Sequence, residues 1–188
     1  MIIANLLGIF LFLMLLWKKL KDDYHYEKIF NFSFIILGVL LLFSLIAVNL
    51  LPSYIFWMQF AGVGVGFGLA MYLQKIKFYE SFNALVISIL PWFSLSYLNR
   101  AIINSNLNDF IIFWLGLFLV FTFFFIESYY RKLIWYKSGR VGFSGLLVSG
   151  IFFALQLFFL GSLVEKLIST AIAFGFFLLL YRLSKSKE

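Results

Sequence analysis

Cysteine is absent from the 188 residues, histidine occurs once and proline twice. Without a thiol there is no disulfide, no cysteine nucleophile and no thiolate metal site, and a single histidine cannot build a metal centre. Charge is scarce too: Asp, Glu, Lys and Arg make up 12% of the chain, about half the roughly 25% of a soluble domain. Apolar residues fill the space, at 64% with 27 phenylalanines, against roughly 45–50% in an ordinary globular protein. A water-soluble fold of this size has too few polar groups to cover such a surface. A soluble enzyme, a disordered tail and a disulfide-built secreted domain are excluded, and an integral membrane protein is left.

A hydrocarbon core of about 30 Å takes roughly 20 residues of helix. Met1 to Trp17 is uncharged and is closed by Lys18, Lys19 and Lys21. Ile29 to Gln74 carries no charge and is long enough for two spans, with the break at Pro52, which removes a donor and pushes Leu51 out of helical geometry. Further uncharged stretches are Ser81–Asn99, Phe110–Ile126, Val141–Val164 and the short Leu167–Tyr181. These predict an all-α integral membrane protein, a bundle of about seven transmembrane helices in one polytopic domain over 1–188. The expected spans are 2–17, 29–50, 55–73, 82–98, 110–126, 141–161 and 164–181; six spans result if the last lies in the interface. The first stretch has no basic leader and no small-x-small cleavage site before Lys18, so it is expected to be retained.

Seven spans put successive loops on alternating sides, which turns the charges into a test. Lys18, Lys19, Lys21, Lys28, Lys75, Lys77, Arg131, Lys132, Lys137, Arg140, Arg182, Lys185 and Lys187 fall on one side, and of the 15 basic residues only Arg100 and Lys166 fall on the other. The positive-inside rule then places the N-terminus outside and the C-terminus in the cytoplasm. Asp109 and Glu165 cancel the outer pair, so the net charge of +7 is all cytoplasmic, facing anionic headgroups. No nucleic-acid partner is expected, although Glu127–Lys137 mixes basic and aromatic residues. Between two spans that mixture reads as an interfacial aromatic belt. His25 reads as a solvated loop residue, and neither a metal nor a cofactor is expected.

Gly62, Gly64, Gly66 and Gly68 alternate through the third span. No Lys-Ser/Thr follows them, so they are not a phosphate loop. Gly62/Gly66 and Gly64/Gly68 are small-xxx-small pairs of the kind that let helix backbones approach closely. Polar residues at membrane depth must face protein or water. Asn49, Gln59, Asn99, Arg100 and Gln156 all fall in the outer half, followed by Asn104, Asn106 and Asp109, and the inner half shows no comparable set. An outward-facing pocket around Arg100 is therefore expected, with Asn106, Gln59 and Gln156 as hydrogen-bonding partners. A guanidinium grips phosphate bidentately and stays charged. The alternative is that Arg100 snorkels to the outer headgroups as a helix-end anchor.

Ala61-Gly-Val-Gly-Val-Gly-Phe-Gly-Leu-Ala-Met-Tyr-Leu73, the short basic loop Gln74–Lys77, Pro91 and Leu98-Asn-Arg-Ala-Ile-Ile-Asn-Ser-Asn106 follow one another. So do Ser144-Gly-Leu-Leu-Val-Ser-Gly150 and Leu167-Ile-Ser-Thr-Ala-Ile-Ala-Phe-Gly175. With its seven spans and outside N-terminus, the chain resembles bacterial prolipoprotein diacylglyceryl transferase over most of its length. The first segment is similar to that family's His-Gly-Gly-Leu-Ile-Gly-Gly stretch, and Leu98–Asn106 to its Gly-Arg-x-Gly-Asn-Phe-x-Asn motif. The resemblance implies the bacterial cytoplasmic (inner) membrane and a role for Arg100 in catalysis, with Asn106 beside it. It also implies phosphatidylglycerol and the signal segment of a prolipoprotein as partners, since these enzymes move diacylglyceryl onto a lipobox cysteine. The departures fall on active positions: Ala61 stands for a histidine, Ile111 and Leu115 for acidic residues, and no arginine or glutamate lies near Leu155, Gln156 and Phe159. The resemblance thus carries fold and location further than activity. Competing readings are a non-catalytic phospholipid- or partner-binding protein and a small transporter subunit such as the substrate-binding component of an energy-coupling-factor importer. A helix-packing module with purely structural polar residues is the plainest alternative.

Overall fold

The computed structural model describes residues 2–51, 54–130, 141–159 and 162–185. Pro52 and the basic residues Arg131, Lys132, Lys137 and Arg140, with most of the aromatic–basic loop, lie outside the described residues, as does the side chain of Asn104. Seven helices are present among the described residues, and no strand: α1 (Ile2–Leu20), α2 (Tyr26–Leu50), α3 (Ile55–Gln74), α4 (Phe78–Asn104), α5 (Leu107–Tyr129), α6 (Phe143–Gln156) and α7 (Leu163–Lys185). Five of them, α2, α3, α4, α5 and α7, are long and apolar enough to cross a membrane. The protein is a helical, multi-pass membrane protein.

Most helices run past the expected spans, α4 furthest with 27 residues, while α6 and α7 depart in opposite directions. α6 has 14 residues and ends at Gln156, short of the expected 141–161; at 1.5 Å per residue it covers about 21 Å. A buried amide closes it, followed by turns at Leu157–Phe159. α7 is longer than its uncharged stretch, with 23 residues, because Glu165 sits in its first turn and Arg182 and Lys185 in its last, where each sign complements the helix dipole.

The chain forms two compact units. In residues 16–81, α2 and α3 are an antiparallel pair. A Cβ on Gly66 would stand 3.1 Å from the Ile36 Cα, and one on Gly62 2.8 Å from the Phe43 Cβ, whereas Gly64 and Gly68 have nothing within 4 Å. Of the two small-residue pairs, one is therefore the contact and the other an open face. Phe32 closes the pair edge-on against Phe67, with centroids 6.0 Å apart.

In the unit of residues 1–15 and 82–188, α4 is the core. From Phe82 to Leu90 every residue is buried, the mark of a helix enclosed on all sides. Pro91 interrupts the backbone ladder but not the helix, a lapse that surrounding helices make tolerable in a membrane. α5 and α7 instead turn Phe118, Phe121, Phe125, Leu167 and Phe174 outward. Apolar faces of that extent match hydrocarbon and not water.

Candidate functional site

Arg100 lies near the C-terminal end of α4, one turn before a tight connection. Ser105 takes a left-handed conformation (φ 49°), and the Asn106 side-chain oxygen accepts the Asn108 N–H at 3.0 Å, capping α5. The reversal brings the Arg100 Nη2 to 3.5 Å from Asp109 Oδ1, with side chains 48% and 14% exposed. The guanidinium also lies over the Tyr97 ring, 4.2 Å from its centroid. Glu165, at the start of α7, adds a second carboxylate to the electrostatic surroundings of Tyr97. Arg100 is thus a half-exposed cation held on two sides, one of them acidic. A guanidinium has five N–H donors, so these contacts do not exhaust it.

The other expected partners each have local surroundings of their own. Gln59 belongs to the unit of residues 16–81, where its amide donates to the Ser44 hydroxyl at 3.4 Å, a long and weak bond. Asn106 follows Arg100 by six residues, in the turn, with its side-chain oxygen spent on the α5 cap. Gln156 is 6% exposed, and its Oε1 has no hydrogen-bond partner. It borders a small cavity of about 10 Å³ with Ile112, Leu115, Phe152 and Phe159, where apolar side chains face the amide. No group of three or more His, Asp and Glu that could hold a metal is present among the described residues.

The expectation that polar groups concentrate at the Arg100 end is corrected by the opposite end of α4. Asn83 is fully buried. Its Nδ2 donates to both oxygens of Glu127 on α5, at 3.3 and 3.2 Å, and its Oδ1 accepts the Gly145 N–H of α6 at 2.8 Å. Gly145 is in the first turn of α6, whose N–H groups have no partner within the helix, so Asn83 caps α6 from another helix. A Cβ at Gly145 would lie 2.9 Å from that oxygen, so the contact needs glycine. The Ser144 hydroxyl beside it is buried with no partner. The signal was available: Asn83 and Glu127 sit at matching distances either side of the Ser105–Asn106 turn, so an α4–α5 hairpin must bring them level.

In the other unit, Tyr24 ties the turn after α1 to the start of α4. Its hydroxyl donates to Glu80 and accepts the Lys77 N–H at 3.2 Å, while Lys77 Nζ is 3.3 Å from Glu80. Burial, then the hydrogen bond to Glu80, raise the Tyr24 phenol above its ordinary value.

No family model matches the chain, and no match to it is found among curated proteins or solved structures.

Proposed function

We propose that this is a seven-span protein of the bacterial cytoplasmic membrane, N-terminus outside, that engages phosphatidylglycerol-type headgroups at Arg100. The carrying observation is a guanidinium that is 48% exposed at a helix end, yet held in place by Asp109 and Tyr97. Such a group is oriented in advance, and a phosphate oxygen can take the donors left over. The 13 of 15 basic residues on the opposite side in a seven-span layout support the orientation. The resemblance to prolipoprotein diacylglyceryl transferase supplies the lipid class and a place in lipoprotein biogenesis.

Transfer of diacylglyceryl to a cysteine thiol needs a cation at the departing glycerol phosphate and an acceptor for the thiol proton. Asp109 gives the catalytic reading its one specific support, since it sets a carboxylate 3.5 Å from the cation. The geometry favours binding over turnover, because that carboxylate is already engaged with the only cation of the α4–α5 turn and Ala61 stands where the related enzymes use histidine.

The test is phosphatidylglycerol retained by the purified protein. Loss of a charge-assisted phosphate contact costs about 1.5–3 kcal/mol, or roughly ten- to a hundredfold in affinity. Arg100→Ala is expected to lose the lipid by that factor and Arg100→Lys to recover it in part, because the fork is missing. Retention indifferent to Arg100→Ala removes the site. Robust transfer to a lipobox-cysteine peptide, abolished by Asp109→Asn, replaces the binder with an enzyme. For the orientation, Asn108→Cys reacts with an impermeant thiol reagent on intact cells and Lys75→Cys does not; the reverse pattern inverts the topology.

A further inference from the structure

A groove of about 410 Å³ runs along α7, lined by Ile172, Gly175, Phe176, Leu178, Leu179 and Arg182. Its volume is within the roughly 300–1,000 Å³ usual for small-molecule sites. Gly175 makes the notch, since a Cβ built there meets nothing within 4 Å. Phe176 forms a firm wall: its ring stacks on Phe153 at 6.0 Å and packs on Phe82 at 5.6 Å. The helix rises about 15 Å from Ile172 to Arg182, which is half of a hydrocarbon core of about 30 Å. The groove is therefore one leaflet deep. At its end is Arg182, exposed and without an ion-pair partner among the described residues. Beyond it Lys185 lies over Tyr181, 4.6 Å from the ring centroid, which adds a second cation and an aromatic ring at the same end.

We infer that this groove is a binding site for one anionic phospholipid of the leaflet that Arg182 faces, an acyl chain lying along Ile172–Leu179 with its phosphate on the Arg182 guanidinium. Length selects a chain from a single leaflet, and charge selects the headgroup. A neutral lipid fills the notch but leaves the cation unanswered. Free phosphate answers the cation but gains nothing from the notch. The site is separate from Arg100 and shares with the proposed function only the reading of the chain as a membrane protein.

The test uses the full chain reconstituted in phosphatidylcholine/phosphatidylglycerol vesicles, with either lipid carrying a photoactivatable acyl chain. The phosphatidylglycerol adduct is expected to map to residues 172–182 and to resist excess inorganic phosphate. Arg182→Gln is expected to lower that adduct about tenfold, the equivalent of one charge-assisted contact, and to leave the phosphatidylcholine adduct unchanged. Gly175→Leu, which fills open space and so leaves folding intact, is expected to abolish both. Arg100→Ala is expected to change neither, which keeps the two sites distinguishable. An α7 adduct that ignores Gly175→Leu, or equal labelling by both lipids, overturns the inference. So does displacement by phosphate alone, which would make Arg182 a simple anion contact.

Discussion

The two ends of α4 hold polar clusters of opposite kind. At Asn83 the amide is sealed from solvent and each of its faces has a partner on a different helix. At Arg100, about 25 Å along the same helix by its rise, a full charge is 48% exposed and paired across a turn. The neutral residue is the structural one, because an unmet hydrogen bond in a dry interior costs its whole desolvation penalty, about 1–3 kcal/mol. An ion pair open to solvent is worth about 0–1 kcal/mol. Burial, not charge, separates the joint from the proposed site, where the Arg100 side chain stays half-exposed.

The most direct way to break this contrast is to delete both residues separately and measure thermal unfolding in detergent. Asn83→Leu strips Glu127 of a donor and the Gly145 N–H of its acceptor, and should destabilise the protein by about 3 kcal/mol. Arg100→Ala should cost less than about 1 kcal/mol while removing bound lipid. Equal losses would mean that both ends are structural.

A smaller effect sharpens the same distinction inside one helix. Gly66 faces the Ile36 backbone and Gly68 faces open space. Gly66→Leu should destabilise the α2–α3 pair by about 1–3 kcal/mol through overpacking, and Gly68→Leu should leave the unfolding temperature unchanged. Matching shifts would show that the open face is occupied in the membrane.

The smallest effect is at Tyr24, near the start of α4. A phenol raised above about 10 in the folded protein contributes stability that is full below that pH and is lost as pH rises through the folded value. Alkaline titration of unfolding should therefore show a decline above pH about 10 that Tyr24→Phe removes. An identical decline in the variant would place the responsible group elsewhere.

Hydropathy alone was enough for the helices, because the bilayer imposes one requirement on every span: about 20 apolar residues with all backbone groups paired internally. The break after Leu51 and the seven helical segments follow from that requirement and from Pro52. The ends of α6 and α7 did not, since a span's length in apolar residues does not say where a buried amide stops a helix or where end charges extend it. The glycine stripe shows the same limit. Its spacing announced close packing, but only the position of α2 decided that Gly62 and Gly66 are the contact. Arg100 was legible as a rare charge at membrane depth, and its partnership with Asp109 was not, because it needs the Ser105–Asn106 reversal. Asn83 becomes a joint only once α5 and α6 pack against α4 and bring Glu127 and the Gly145 N–H to its amide. One-dimensional composition determines which segments leave water. Which polar side chains then meet is decided by how helices face one another, and a hydropathy profile holds no information about facing.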